Sequence, residues 1–261
     1  MHTDLYAEIA RLSKEGRAFV LATVIDTAGS TPQKPGTKMV VLSQETIGTV
    51  GGGAIELQIT EHSRALLADA QATTRVIETH LTHELGMCCG GRMKVFLEKH
   101  GPAARLFVFG AGHVGRELAN LAHHVGFRVT VVDERSELIR ADRFTDGIER
   151  IERDPAEVAA RLEGGSDTYF CVSTHDHPLD QAVLETLLRL PQPSAYLGVI
   201  GSLRKAERFK LRLRAAGFTE EQLARVESPM GVPIHALTPE EIAVSIVGRL
   251  IAVRRRDQPR R

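Results

Sequence analysis

The stretch GMCCGGRM (86–93) sets Cys88 and Cys89 side by side, with Gly90 and Gly91 directly behind them. The chain has one further cysteine, Cys171. Three kinds of chemistry suit such a pair. One is a tight turn with buried thiols. Neighbouring cysteines rarely bridge each other, because their Cα atoms are too close for relaxed disulfide geometry. A second is a metal centre. His80, His83, Cys88 and Cys89 supply four nitrogen and sulfur donors within ten residues, a set suited to zinc, although adjacent cysteines strain a tetrahedral site. The third is an exposed thiolate that touches a ligand: flanking glycines remove steric shielding, and a thiolate is a soft donor for a thiophilic metal. On the residues alone all three stay open. Cys171 lies in the apolar run TYFCV and reads as a small core hydrophobe.

A second constellation lies further along. The run RLFVF leads into GAGHVG, where Gly110, Gly112 and Gly115 fit G-x-G-x-x-G. A helical pattern, the run RVTVV and then Asp133 follow, the acid lying 18 residues past Gly115. In that context the glycines permit a tight turn and close approach of a pyrophosphate to a helix start, and the acid grips a ribose. Asp133 repels a 2′-phosphate, so NAD or an adenosine moiety is expected over NADP, a preference that nearby Arg135 softens. The plainer reading is a nucleotide-binding fold whose crevice holds something else or nothing, because a fold does not assign a function. The loops DER (133–135), STHDHPLD (173–180) and GSLRK (201–205) leave predicted strands at the same sheet edge. Ligands sit beyond the carboxyl ends of such strands, which directs His113, His175, Asp176, His177, Ser202 and Lys205 to one crevice. His175 and His177 are candidates for metal binding or acid–base work, against the plainer reading of a solvated loop pair.

Two more glycine loops precede the cysteines, GSTPQKPG (29–36) and GTVGGGAIE (48–56). The second opens into a helical pattern, and successive free N–H groups at a helix start form an anion nest suited to phosphate. The alternative is a tight turn that needs positive φ. A phosphate nest beside a soft thiolate suggests a ligand that is anionic and carries a metal.

The elements that must position these groups follow from periodicity. Residues 3–15 read as an amphipathic helix, 18–25 as a strand, TKMVVL and TIGTV as a hairpin, 54–70 as a helix, and TTRVIETH and RMKVFLEK as strands flanking the cysteine loop. KHGPAA (99–104) is the expected boundary between a domain at 1–100 and one at 101–261. Beyond it, strands and helices alternate, which predicts a doubly wound parallel sheet. The last helix, 238–256, opens with Thr238 as N-cap and Pro239 at its first position. The fold class expected is a smaller mixed α/β domain followed by a Rossmann-like domain. Composition bounds the rest: 43% hydrophobic and 25% charged residues suit a globular protein, and 33 basic against 33 acidic residues provide no general case for nucleic-acid binding. No apolar run reaches membrane-spanning length, and the N-terminus lacks a signal-peptide core, so a cytoplasmic protein is expected. The basic tail RRRDQPRR reads as solvated and frayed.

In order, GSTPQKPGTKMVV, GTVGGGAIE, MCCGGRMKVFLE, FGAGHVGRELANL, VTVVDER, STHDHPLD, YLGVIGSLRKAERF and TPEEIAVSI closely resemble the XdhC/CoxI family across residues 17–250. These are accessory proteins of xanthine dehydrogenase and related molybdenum hydroxylases. The resemblance implies a chaperone, without turnover of its own, that binds the molybdenum cofactor, protects it during sulfuration and delivers it to the apo-enzyme. It implies a cysteine desulfurase and the target hydroxylase as partners; a homodimer is a separate expectation. Cys89 matches the family cysteine before Gly-Gly, and Cys88 the extra one of the XdhC branch; both are implied to contact molybdenum. The other implied cofactor-binding residues are Ser30, Gly51, Gly52, Gly53, Glu56, Gly90, Gly91, Gly110, Gly112, His113, Gly115, Asp133, Thr174, His175, Asp176, His177, Ser202 and Lys205. Gln33 stands where the family usually has Arg. A different class of function stays in view, an NAD(P)-dependent oxidoreductase using the Rossmann-like crevice, for which the paired thiols have no use; NAD or another nucleotide is then a ligand.

Overall fold

A computed structural model describes residues 4–69, 72–81, 91–101 and 104–256. The chain divides into two compact units, 1–103 and 104–261.

The first unit runs α1 (Leu5–Glu15), β1 (Phe19–Ala28), β2 (Lys38–Val41), β3 (Thr46–Gly48), α2 (Gly53–Ala68), β4 (Thr74–His80) and β5 (Arg92–His100). Its five strands form an antiparallel sheet in the order β3-β2-β1-β5-β4. Alternation sets the two faces. Val20, Ala22 and Val24 of β1 and Met93, Val95 and Leu97 of β5 pack with Ile55, Ile59 and Leu66 of α2. On the other side Leu12 of α1 packs with Phe19, Val40 and Leu42. Register decides where the loops emerge. Ala28, ending β1, pairs with Arg92, which starts β5, and His80, ending β4, pairs with the same Arg92. Gly48, ending β3, pairs with Met39 near the start of β2. The loops after β1, β3 and β4 therefore leave one end of the sheet.

The second unit contains β6 (Arg105–Phe109), α3 (His113–His124), β7 (Arg128–Asp133), β8 (Glu149–Glu152), α4 (Pro155–Ala159), β9 (Gly165–Val172), α5 (His177–Leu188), β10 (Ser194–Val199), α6 (Leu203–Ala215), α7 (Glu220–Ala224), β11 (Val226–Glu227) and α8 (Pro239–Arg254). The sheet is wholly parallel, in the order β11-β10-β9-β6-β7-β8. Leu118 and Ala122 of α3 and Ile246 and Leu250 of α8 cover one face; Val183 and Leu187 of α5 and Phe209 and Leu213 of α6 cover the other. The strand order reverses between β6 and β9, which places the topological switch point at their carboxyl ends. Thr238 caps α8 through the Glu241 N–H, with Pro239 in the first turn, as its sequence predicts. The edge strands β8 and β11 and the short α7 carry too few alternating apolar residues to be seen in the sequence. Helix α4 is short and stops at Ala159. Arg254 is docked rather than frayed: its guanidinium lies 4.3 Å from the Phe127 ring centroid and donates to the Val125 carbonyl at 3.1 Å. No helix among the described residues is long and apolar enough to cross a membrane.

Candidate functional site

At the switch point, two of the three fingerprint glycines are required by packing. A Cβ on Gly110, whose φ is +108°, would lie 2.2 Å from the Ser173 carbonyl oxygen, and one on Gly115 would lie 1.9 Å from the Gly110 carbonyl oxygen. These contacts close the β6–α3 turn on itself and on the loop after β9. Gly112 differs: its φ is an ordinary −63°, and a Cβ there meets nothing within 4 Å. Nothing among the described residues demands glycine at that position; what its small size provides is open space over the start of α3. A cavity of about 350 Å³ opens there, lined by Gly112, His113, Gly115, Arg135, Thr174 and His175. None of its lining residues is a carboxylate.

Asp133, expected to grip a ribose, is engaged within the protein. It is only 2% exposed. One carboxylate oxygen accepts from the Arg135 N–H at 3.0 Å and Nε at 2.8 Å; the other accepts from the Ala111 N–H and from Arg135 Nη2, both at 2.7 Å. Burial pushes its pKa up, but the Arg135 side chain and the two backbone N–H groups outweigh that and hold the carboxyl below its ordinary value. The acid thus pins the glycine turn to β7 and neutralises Arg135.

The remaining predicted residues of this unit separate. His175 lines the glycine cavity, whereas His177, Ser202 and Lys205 line a second one beside α5 and α6. The His-x-His pair thus serves two cavities, and no group of three or more possible metal ligands occurs among the described residues. Asp176 is the N-cap residue of α5 but makes no side-chain capping bond. Thr174 turns inward: its N–H and hydroxyl both donate to Asp180 Oδ1, at 2.9 and 2.7 Å. Lys205 Nζ reaches Asp180 Oδ2 at 2.9 Å, and Asp180 is fully buried. Asp180 carries no mark of this in the sequence, because nothing in STHDHPLD distinguishes a buried acid from a solvated one. Cys171 is a free thiol at the centre of the sheet, and burial pushes its pKa far up, so it is no nucleophile.

In the first unit the glycine loops meet. A Cβ on Gly91 would lie 2.3 Å from the Ser30 carbonyl oxygen and 2.8 Å from that of Ala28; one on Gly51 would lie 2.6 Å from Pro32 Cγ. The residue that closes the cysteine segment and the one that opens the α2 turn thus both press on the 29–36 loop. Gly51, Gly52 and Gly53 all have positive φ, as a tight turn demands. The expected anion nest already has an occupant. The Glu56 carboxylate accepts from the Gly52 N–H at 3.1 Å and from the Thr49 hydroxyl, and Thr49 in turn accepts from the Gly51 N–H at 3.1 Å. His83, Cys88, Cys89 and Gly90 lie outside the described residues.

Comparison with known proteins now decides the family. The model of the XdhC Rossmann domain matches residues 106–250, and that of the XdhC and CoxI family matches residues 12–78. The chain belongs to the XdhC family. It is 31% identical over 256 residues to YqeB, an uncharacterised Escherichia coli K12 protein, covering 96% of this chain and 46% of that one. It is 31% identical over 192 residues to a Bacillus subtilis 168 protein described as a probable xanthine dehydrogenase subunit, covering 74% of this chain and 53% of that one. This XdhC-family chain thus spans about half the length of the curated relatives it matches. A Bacillus halodurans crystal structure described as a xanthine dehydrogenase aligns with a TM-score of 0.54 at 23% identity, covering 96% of this chain and 95% of that one, a likeness of fold.

Proposed function

We propose that this XdhC-family chain binds the molybdenum cofactor as cargo, shields it while a cysteine desulfurase supplies sulfur for its sulfido ligand, and delivers it to the apo form of a molybdenum hydroxylase such as xanthine dehydrogenase. It works in the cytoplasm as a homodimer and catalyses no turnover of its own. The observation that carries the reading is the meeting of loops in the first unit, where Gly91 abuts Ser30 and Gly51 abuts Pro32. In sequence, Cys88 and Cys89 precede Gly91 by three residues and by two. A thiolate of either cysteine is a soft donor for molybdenum that a dithiolene already holds. The Glu56 carboxylate at the Gly52 N–H disfavours a cargo phosphate at that nest by like charge. In the second unit, the carboxylate-free cavity over Gly112 suits a phosphate-bearing ligand of its own, a nucleotide.

The test is the metal stoichiometry of protein loaded with cofactor. Cys89→Ser is expected to lose most of the bound molybdenum while keeping its melting temperature. Wild-type stoichiometry in that variant defeats the proposal. Equimolar zinc that leaves in His80→Ala or His83→Ala replaces it with a zinc module. The exposed His175 on the glycine cavity favours one second reading, a nicotinamide-linked oxidoreductase. Sustained reduction of NAD or NADP with an alcohol, aldehyde or hydroxy acid, abolished in His175→Ala, would install that reading instead.

A further inference from the structure

The second cavity of the Rossmann unit has a chemistry of its own. It encloses about 400 Å³ and is lined by Arg204, Lys205, Arg208 and Arg212 of α6, with His177 and Ser202 at its end and Phe209 in its wall. Residues 204, 208 and 212 are four apart, so their side chains share one helix face. None of the lining residues is acidic. Asp180, which also accepts from Thr174, is the carboxylate that Lys205 reaches. Gly201 makes that possible, since a Cβ there would lie 2.5 Å from the Lys205 Cδ and displace its stem. Among the described residues, the Arg212 side chain donates only to the neutral Gln181, at 3.3 Å, and the side chains of Arg204 and Arg208 have neither an ion pair nor a hydrogen bond.

Three guanidiniums at four-residue intervals repel one another, and the first turn of α6 adds no acid to offset the positive end of the helix. Helices α7 and α8, by contrast, open with the pairs Glu220 and Glu221, and Glu240 and Glu241. Such a stripe destabilises the helix it sits on unless an anion occupies it. The guanidinium fork pairs with phosphate oxygens through two parallel bonds.

We propose that this cavity is a binding site for a phosphate monoester, separate from the glycine crevice. A small ligand rather than a macromolecule is favoured because the guanidiniums border a concavity within the roughly 300–1,000 Å³ range of small-molecule sites, with Phe209 as an apolar wall. The proposal does not rest on the cofactor reading, since neither the cysteines nor the loops of the first unit enter it.

Titration calorimetry on the full chain at low salt, with glycerol 3-phosphate and with AMP, tests it. Saturable one-to-one heat is expected with glycerol 3-phosphate. Arg204→Ala with Arg208→Ala should weaken it by about tenfold or more for each charge-assisted hydrogen bond removed. Both residues are exposed, so the melting temperature should hold; the corresponding Lys pair, which keeps the charge but lacks the fork, should restore part of the affinity. Gly112→Val should leave glycerol 3-phosphate binding unchanged. Equal affinity for the two ligands means the site reads the phosphate alone, and a tenfold preference for AMP, lost with the same arginines, means it also reads a nucleoside. Absence of saturable heat, full affinity in the alanine pair, or loss in Gly112→Val overturns the proposal. So does displacement of glycerol 3-phosphate by polyglutamate at equal charge concentration, which would make the stripe a face for an acidic macromolecule.

Discussion

Replacing Lys205 by methionine strands a carboxylate inside the Rossmann unit. Asp180 is 0% exposed and the Lys205 side chain 15%. The pair lies at 2.9 Å, and the other Asp180 oxygen accepts two hydrogen bonds from Thr174. Removing one partner of such a pair costs about 3–5 kcal/mol, because the remaining charge has neither water nor a counter-ion. For a unit of this size, that lowers the melting temperature by roughly 6–20 °C. The double variant Asp180→Asn, Lys205→Met removes the charge and keeps an oxygen for Thr174. Its residual loss is the unpaired buried amide N–H, about 1–3 kcal/mol, so the double should be more stable than Lys205→Met alone. Near-UV circular dichroism follows the transition well: the chain has no tryptophan and three tyrosines, of which Tyr169 and Tyr196 are buried in this unit. A loss below about 1 kcal/mol for Lys205→Met, or a double variant worse than the single, would refute the buried pair and with it the anchoring of the 173–180 loop to α6.

Two further outcomes follow from the glycine turn. The folded-state pKa of Asp133 is depressed, so its contribution to stability is complete above the unfolded carboxyl pKa of about 3.9 and is lost as pH falls through the lower folded value. Urea titrations from pH 5 downward should show that acid-linked loss in the wild type and less of it in Asp133→Asn, which should start from lower stability at pH 7; identical slopes would contradict the assignment. Gly115→Ala and Gly112→Ala should diverge. The first drives a methyl against the Gly110 carbonyl and should destabilise by more than about 3 kcal/mol, whereas the second should melt within about 1 kcal/mol of wild type. Thermal melts of the two variants check this, and a Gly112→Ala melt as low as that of Gly115→Ala would show that the open space is absent in solution.

Local chemistry made much of this molecule legible from residues alone. The strand–helix rhythm after residue 104 and the order of glycine motifs were enough for the fold class and the family, because periodicity and turn requirements are properties of short segments. The Thr238–Pro239 helix start was readable for the same reason. Edge strands were not: β8 and β11 bury little, so selection leaves no alternation in ERIE or VE. The site was legible as a set of residue types, but their partners were not. Nothing in the spacing of Asp133 tells that Arg135 and the Ala111 N–H claim its oxygens, or in GTVGGGAIE that Glu56 fills its own nest. His175 and His177 are two residues apart in sequence and face different cavities, because α5 begins between them and turns the chain. In α6, that Lys205 is neutralised while the side chains of Arg204 and Arg208 have no partner among the described residues depends on Asp180 arriving from 25 residues upstream. Sequence determines which groups a segment can offer and the local turns they impose. Which of those groups are spent on one another is set by long-range packing, since a side chain's charge, hydration and reach depend on neighbours that only the folded chain brings within a few ångströms.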